Sequence, residues 1–158
     1  MAPRWIECVP NISEGQDLSI VDTIVSSISE LEGVAVLGAE PDPDYNRTVI
    51  TIAGEYIAVA KAAIILIEST ALHIDMRQHT GNHPRMGAVD VCPFVPISAG
   101  TEADCILASK IVSDHFKGSI PIYKYGLIAS NQDRASLANL RKGQYEGLKS
   151  RLTGGEWT

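Results

Sequence analysis

The densest run of groups able to move a proton is residues 75–87, Asp-Met-Arg-Gln-His-Thr-Gly-Asn-His-Pro-Arg-Met-Gly. Asp75, His79 and His83 are spaced by four, which would align metal ligands on one face of a helix. Gly81 and Pro84 argue against that helix, because glycine weakens it and proline biases the preceding His83 toward extended backbone. We therefore expect no metal here. Proton transfer remains. An imidazole titrates near neutrality, Pro84 fixes the backbone beside His83, and Arg77 and Arg85 flank it with charge suited to an anionic substrate or a developing oxyanion. Nearby cations would also lower the imidazole pKa and favour the neutral base. The same composition fits a loop histidine satisfied by backbone partners beside solvated arginines, and the residues alone do not separate the two.

Two further polar clusters accompany this loop. Glu40-Pro-Asp42-Pro-Asp44-Tyr-Asn46-Arg47 is built of turn-forming residues, and its carboxylates gain a chemical role only if the turn lies beside the His83 loop. Pro10-Asn11-Ile-Ser13-Glu14-Gly15 precedes a helix, so its amides could hold a carboxylate, or Asn11 and Ser13 could simply cap. Cys8, Cys92 and Cys105 sit in apolar stretches without any CxxC spacing, and read as small buried hydrophobes rather than nucleophiles.

These loops need a frame. Residues 4–9 read as a strand stopped by Pro10, and the apolar spacing of Leu18, Val21, Ile24, Val25, Ile28 and Leu31 predicts a helix ended by Gly33. Val34–Ala39 and Thr48–Ala53 read as a hairpin, Glu55–Leu72 as a well-buried helix, and Val89–Ile97 as a strand whose prolines suggest an edge or a bulge. A helix from Thr101 to Phe116, a strand at Ile120–Tyr125 and a short helix at Arg134–Arg141 complete the series. The order predicts an α+β fold, a ferredoxin-like split βαβ (β-α-β-β-α-β) sandwich with an additional α-β-α extension. The short connection between the second and third strands favours this over a parallel doubly wound sheet. With no linker or repeat, residues 1–158 are expected to form a single domain.

A 45% apolar and 20% charged composition is that of a globular domain. A net charge of −6 favours neither nucleic acid nor an anionic membrane as partner. The first residues lack an apolar signal core, and the apolar run at Ile57–Ile67 is interrupted by Lys61 and short for a bilayer, so no membrane and a cytoplasmic setting are expected.

Together, Glu-Cys-Val-Pro-Asn-Ile-Ser-Glu-Gly (7–15), Asn-Arg-Thr-Val (46–49), His-Pro-Arg-Met-Gly-Ala-Val-Asp-Val-Cys-Pro-Phe (83–94) and Gly-Gln-Tyr-Glu-Gly-Leu (143–148) resemble the N-terminal subdomain of glutamate formimidoyltransferase. The resemblance runs in order across almost the whole chain. It implies transfer of the formimidoyl group of N-formimidoyl-glutamate to N5 of tetrahydrofolate, a step of histidine breakdown, with His83 as catalytic acid/base. It implies substrate or folate contacts for Asn11, Glu40, Asp42, Arg47, His79 and Arg85, although the family often has aspartate near Glu40. The family's transferase unit has two similar subdomains with folate in the groove between them, and this sequence ends where the first would end. A sheet covered on one face also leaves the other needing cover. A homodimer or a separate C-terminal subdomain is therefore the expected partner, and a non-catalytic folate- or anion-binding module is the alternative.

Overall fold

The computed structural model describes residues 4–154, so the chain ends, including the expectation drawn from the first residues, lie outside it. An antiparallel sheet carries the molecule. It is assembled from β1 (Arg4–Cys8), β2 (Asn11–Ile12), β3 (Val34–Asp42), β4 (Arg47–Glu55), β5 (Val89–Val91) and β6 (Phe94–Ser98). β4 pairs β3 on one side and both β1 and β2 on the other. β1 continues to β6, and β2 to β5.

Two pairs of strands are halves of broken ones. The chain leaves the ladder at Val9-Pro10, between β1 and β2, because proline has no amide hydrogen to give. Cys92-Pro93 interrupts the expected Val89–Ile97 strand in the same way, yet the Val9 amide still donates to the Pro93 carbonyl at 3.1 Å. Of the edge or bulge that the prolines suggest, the structure has the edge, since β5 and β6 end the sheet path, with a full break in place of a bulge.

Three long helices, α1 (Leu18–Ser29), α2 (Tyr56–His73) and α3 (Glu102–His115), pack against the sheet. Their apolar residues (Ile24, Ile28, Val59, Leu66, Ala108) meet Ile6, Cys8, Ile12, Ile50 and Ile52 from alternate strand positions. α2 has the length and apolarity of a membrane span, but its Val59, Ala60, Ala62, Ala63, Leu66 and Ile67 are buried in this core. It is a core helix of a folded domain. α3 starts at a capping box, with Thr101 and Asp104 satisfying each other's backbone amides.

The expected extension is partly different. Residues 121–125 form no strand: Pro121 removes a donor, and a cavity separates the segment from the edge strands β5 and β6. Ile120, Ile122, Tyr123 and Tyr125 instead line an apolar cavity of about 440 Å³ beneath the tail. A 3₁₀ turn (Gly126–Ile128) follows, then α4 (Gln132–Ala135), α5 (Leu137–Leu140) and α6 (Gln144–Thr153). Ser136, in extended backbone, splits the helix expected at Arg134–Arg141. α6 was not foreseen.

Candidate active site

The three polar clusters meet in space. Asn46, at the end of the β3–β4 turn, donates from its side-chain amide to the Thr80 carbonyl at 2.8 Å, and its Oδ1 accepts the Gly15 amide at 2.9 Å. One buried asparagine thus ties the turn both to the His83 loop and to the loop after β2. Ser13 fastens the remaining pair, its Oγ donating to the Gly87 carbonyl at 2.8 Å. Glycine is required at two of these contacts. A Cβ on Gly81 would stand 2.5 Å from the Tyr45 carbonyl, and one on Gly15 would stand 2.5 Å from the Asp42 carbonyl.

His83 is half-buried in this junction, with the Tyr45 ring 6.2 Å away in an edge-on arrangement. Its pKa is held below the ordinary histidine value, first by desolvation and then by the Arg47 and Arg141 cations. The imidazole is therefore neutral at neutral pH, ready to accept a proton. Arg47 lies over the Tyr45 ring at 5.8 Å, and its Nε is buried with no hydrogen-bond partner among the described residues. Its guanidinium is thus placed beside the imidazole and incompletely satisfied.

His79 and Arg85 are engaged inside the protein. Arg85 is only 6% exposed. Its Nε donates to His79 Nδ1 at 3.0 Å, and its remaining nitrogens reach Glu146 at 2.8 and 3.0 Å and Gln144 at 3.1 Å. An arginine can only donate, so His79 Nδ1 carries no proton and Nε2–H donates to the Asn46 carbonyl at 3.0 Å. Asp75 turns the other way and chelates Arg77, which together hold its carboxyl down at about 2. The side chains spaced by four in the sequence therefore serve three different partners.

Asp42 closes its own turn, accepting the Asp44 and Tyr45 amides at 3.0 Å each. Glu40 and Asn11 stand opposite Val49 on either side of β4, so both belong to the sheet face turned away from the helices. Asn11 makes one long hydrogen bond, to the Val9 carbonyl at 3.3 Å, and Glu40 is exposed. The amides before α1 are already filled. Glu14 Oε1 accepts from Gly15, Gln16 and Asp17 at 3.0, 2.8 and 2.9 Å, so the protein supplies the carboxylate that this turn suits.

The tail supplies groups that the local sequence did not reveal. Asp90 accepts the Met86 amide at 2.7 Å on one oxygen and the Arg141 guanidinium on the other. Glu146 and Gln144 hold Arg85, and the Tyr145 amide donates to the Arg85 carbonyl at 2.9 Å. The signals for these were the motifs at 83–94, which contains Asp90, and at 143–148, which contains Gln144 and Glu146; nothing local pointed to Arg141. Burial pushes the Cys8 thiol well above its ordinary pKa, with Cys92 Sγ at 3.4 Å, and burial raises the Cys105 thiol as well, so neither Cys8 nor Cys105 is an activated nucleophile.

The sequence model of the family described as formiminotransferase domain, N-terminal subdomain, matches residues 5–158. The chain is 40% identical over 98% of its length to a glutamate formimidoyltransferase of Streptococcus pyogenes, covering 52% of that protein. It is 38% identical over 96% of its length to one from Thermoplasma acidophilum, again covering 52% of the relative. A formimidoyltransferase-cyclodeaminase of Rattus norvegicus is 38% identical over 98% of this chain, which spans 29% of that protein. The chain thus spans about half, or less, of the curated relatives it matches.

Proposed function

The chain belongs to the family of formiminotransferase N-terminal subdomains, and from that premise we propose that it presents the acid/base loop for formimidoyl transfer from N-formimidoyl-glutamate to N5 of tetrahydrofolate. One observation carries the reading: a half-buried His83, kept neutral by burial and by the Arg47 cation, at the junction of the three polar loops. N5 attacks the amidine carbon, and neutral His83 takes the N5 proton. The imidazolium then returns it to the glutamate nitrogen, which leaves as the tetrahedral carbon collapses. Arg47 attracts a substrate carboxylate, while Glu40 and Asn11 contact the cationic amidine or the folate ring from the uncovered sheet face. In this proposal His79, Arg85 and Asp42 hold the loops in place, because their polar atoms are engaged within the protein.

The fold reading goes with it. The strand sequence β3, β4, β1/β2, β6/β5, with antiparallel neighbours and helices after β2 and β4, supports a ferredoxin-like split βαβ sandwich. The folate groove would be completed over the other sheet face by a second copy or by a C-terminal subdomain. This is supported by exposed Trp5 and Val95 on that face and by the half-length coverage of the relatives. Cytoplasmic residence is supported by three unpaired cysteines.

The test is an assay of formimidoyl-tetrahydrofolate formation by the chain alone and mixed with the C-terminal subdomain of a relative. Turnover in either format supports the proposal. Reduced-folate binding without turnover in both would make the chain a binding module instead.

A further inference from the structure

The Gly-Gln-Tyr-Glu motif in the tail has no part in the reaction just described, yet its side chains reach the loop that carries His83. Gly143 and Gln144 both adopt left-handed backbone, with φ of 84° and 52°. For a residue with a side chain that conformation is strained, and it persists only where surrounding contacts enforce it. Here the bend starts α6 so that Gln144 Oε1 and both Glu146 oxygens face one guanidinium, that of Arg85.

We propose that Glu146, assisted by Gln144, is a positioning residue of the site: it fixes Arg85, through it the Nε2–H tautomer of His79, and so the backbone that presents His83. This rests on the reading of His83 as the acid/base. The chain of contacts is continuous. Glu146 takes two guanidinium nitrogens, and the Arg85 Nε donates to His79 Nδ1. His79 Nε2–H donates to the Asn46 carbonyl, and Asn46 in turn holds the Thr80 carbonyl, three residues before His83. A buried guanidinium must keep its partners, so removing the carboxylate forces Arg85 to seek another acceptor or solvent. His79 Nδ1 then loses the donor that forbids it a proton, and the imidazole can exchange tautomers.

The experiment uses Glu146→Gln, which is isosteric, and Glu146→Ala. Nitrogen-15 NMR of the histidine side chains reads the tautomer directly, whether or not the chain turns over. The parent should show His79 with an unprotonated Nδ1 and a protonated Nε2, and both variants should show averaged tautomer signals. In whichever of the two assay formats gives turnover, kcat should fall by about 10–100-fold while KM changes by less than about threefold. If Glu146→Ala fails to fold, Glu146→Gln carries the test. A folded Glu146→Gln with the parental His79 tautomer and kcat would overturn the proposal, whatever its melting temperature. Absence of turnover by the parent in both formats would sink the transfer reading, while the tautomer measurement would still decide the positioning.

Discussion

Among the residues, His83 and Arg47 are electrostatically coupled. The imidazole pKa lies below the usual 6.5 because burial and a neighbouring cation both disfavour the charged ring. If neutral His83 is the base, the acid limb of the kcat/KM profile should have its midpoint below that value. Replacing Arg47 with Gln removes the largest cationic contribution, so the midpoint should move up toward 6.5, which a pH–rate series would show. A midpoint that stays put or falls would mean that another group governs the limb. His83 was legible in sequence because its identity and its proline neighbour speak locally. The engaged state of Arg85 was not, since its carboxylate partner lies 61 positions away and no local pattern encodes that contact.

At the level of elements, the site exists because three loops are cross-tied and one tail helix is clipped to them. Gly15→Ala or Gly81→Ala would drive a Cβ into backbone at 2.5 Å. Each should cost about 1–3 kcal/mol of stability by thermal or denaturant unfolding. A loss below about 0.5 kcal/mol would show that the loops can part freely. The clip has its own pH signature. Glu146 is held at about 2, below its ordinary 4.5, chiefly by its hydrogen bond to Arg85. A carboxyl depressed on folding stabilises the folded state above its unfolded pKa, and that stability is lost as pH falls through the folded value. Exchange protection of the Tyr145 amide should therefore decline between about 4.5 and 2, and constant protection across that window would contradict it. The helices α1, α2 and α3 were readable from apolar spacing and from the Thr101 cap. The strand expected at Ile120–Tyr125 is absent, because β-rich composition does not decide whether a segment pairs with an edge or packs beside it across a cavity.

For the whole molecule, the sheet is a wall with one finished side. Helices seal Ile6, Cys8, Ile50 and Ile52, while Trp5 and Val95 on the opposite side remain 39% and 42% exposed. Sedimentation should show the chain dimerising, or binding a C-terminal subdomain, through that face, and Val95→Lys should weaken the association. A parent that stays monomeric at high concentration and ignores the subdomain would show that this face forms no groove with either. The need for cover was legible from an element order that puts helices on one face of the sheet, but not which surface provides it.

Everything proposed for this site turns on His83 moving the proton. The measurement that reaches it most directly is the steady-state rate of His83→Ala at saturating substrates, in the assay format in which the parent turns over. Its kcat should lie about 10²–10⁴-fold below the parent with a native fold and little change in KM. A folded variant within about threefold of the parental kcat would contradict it.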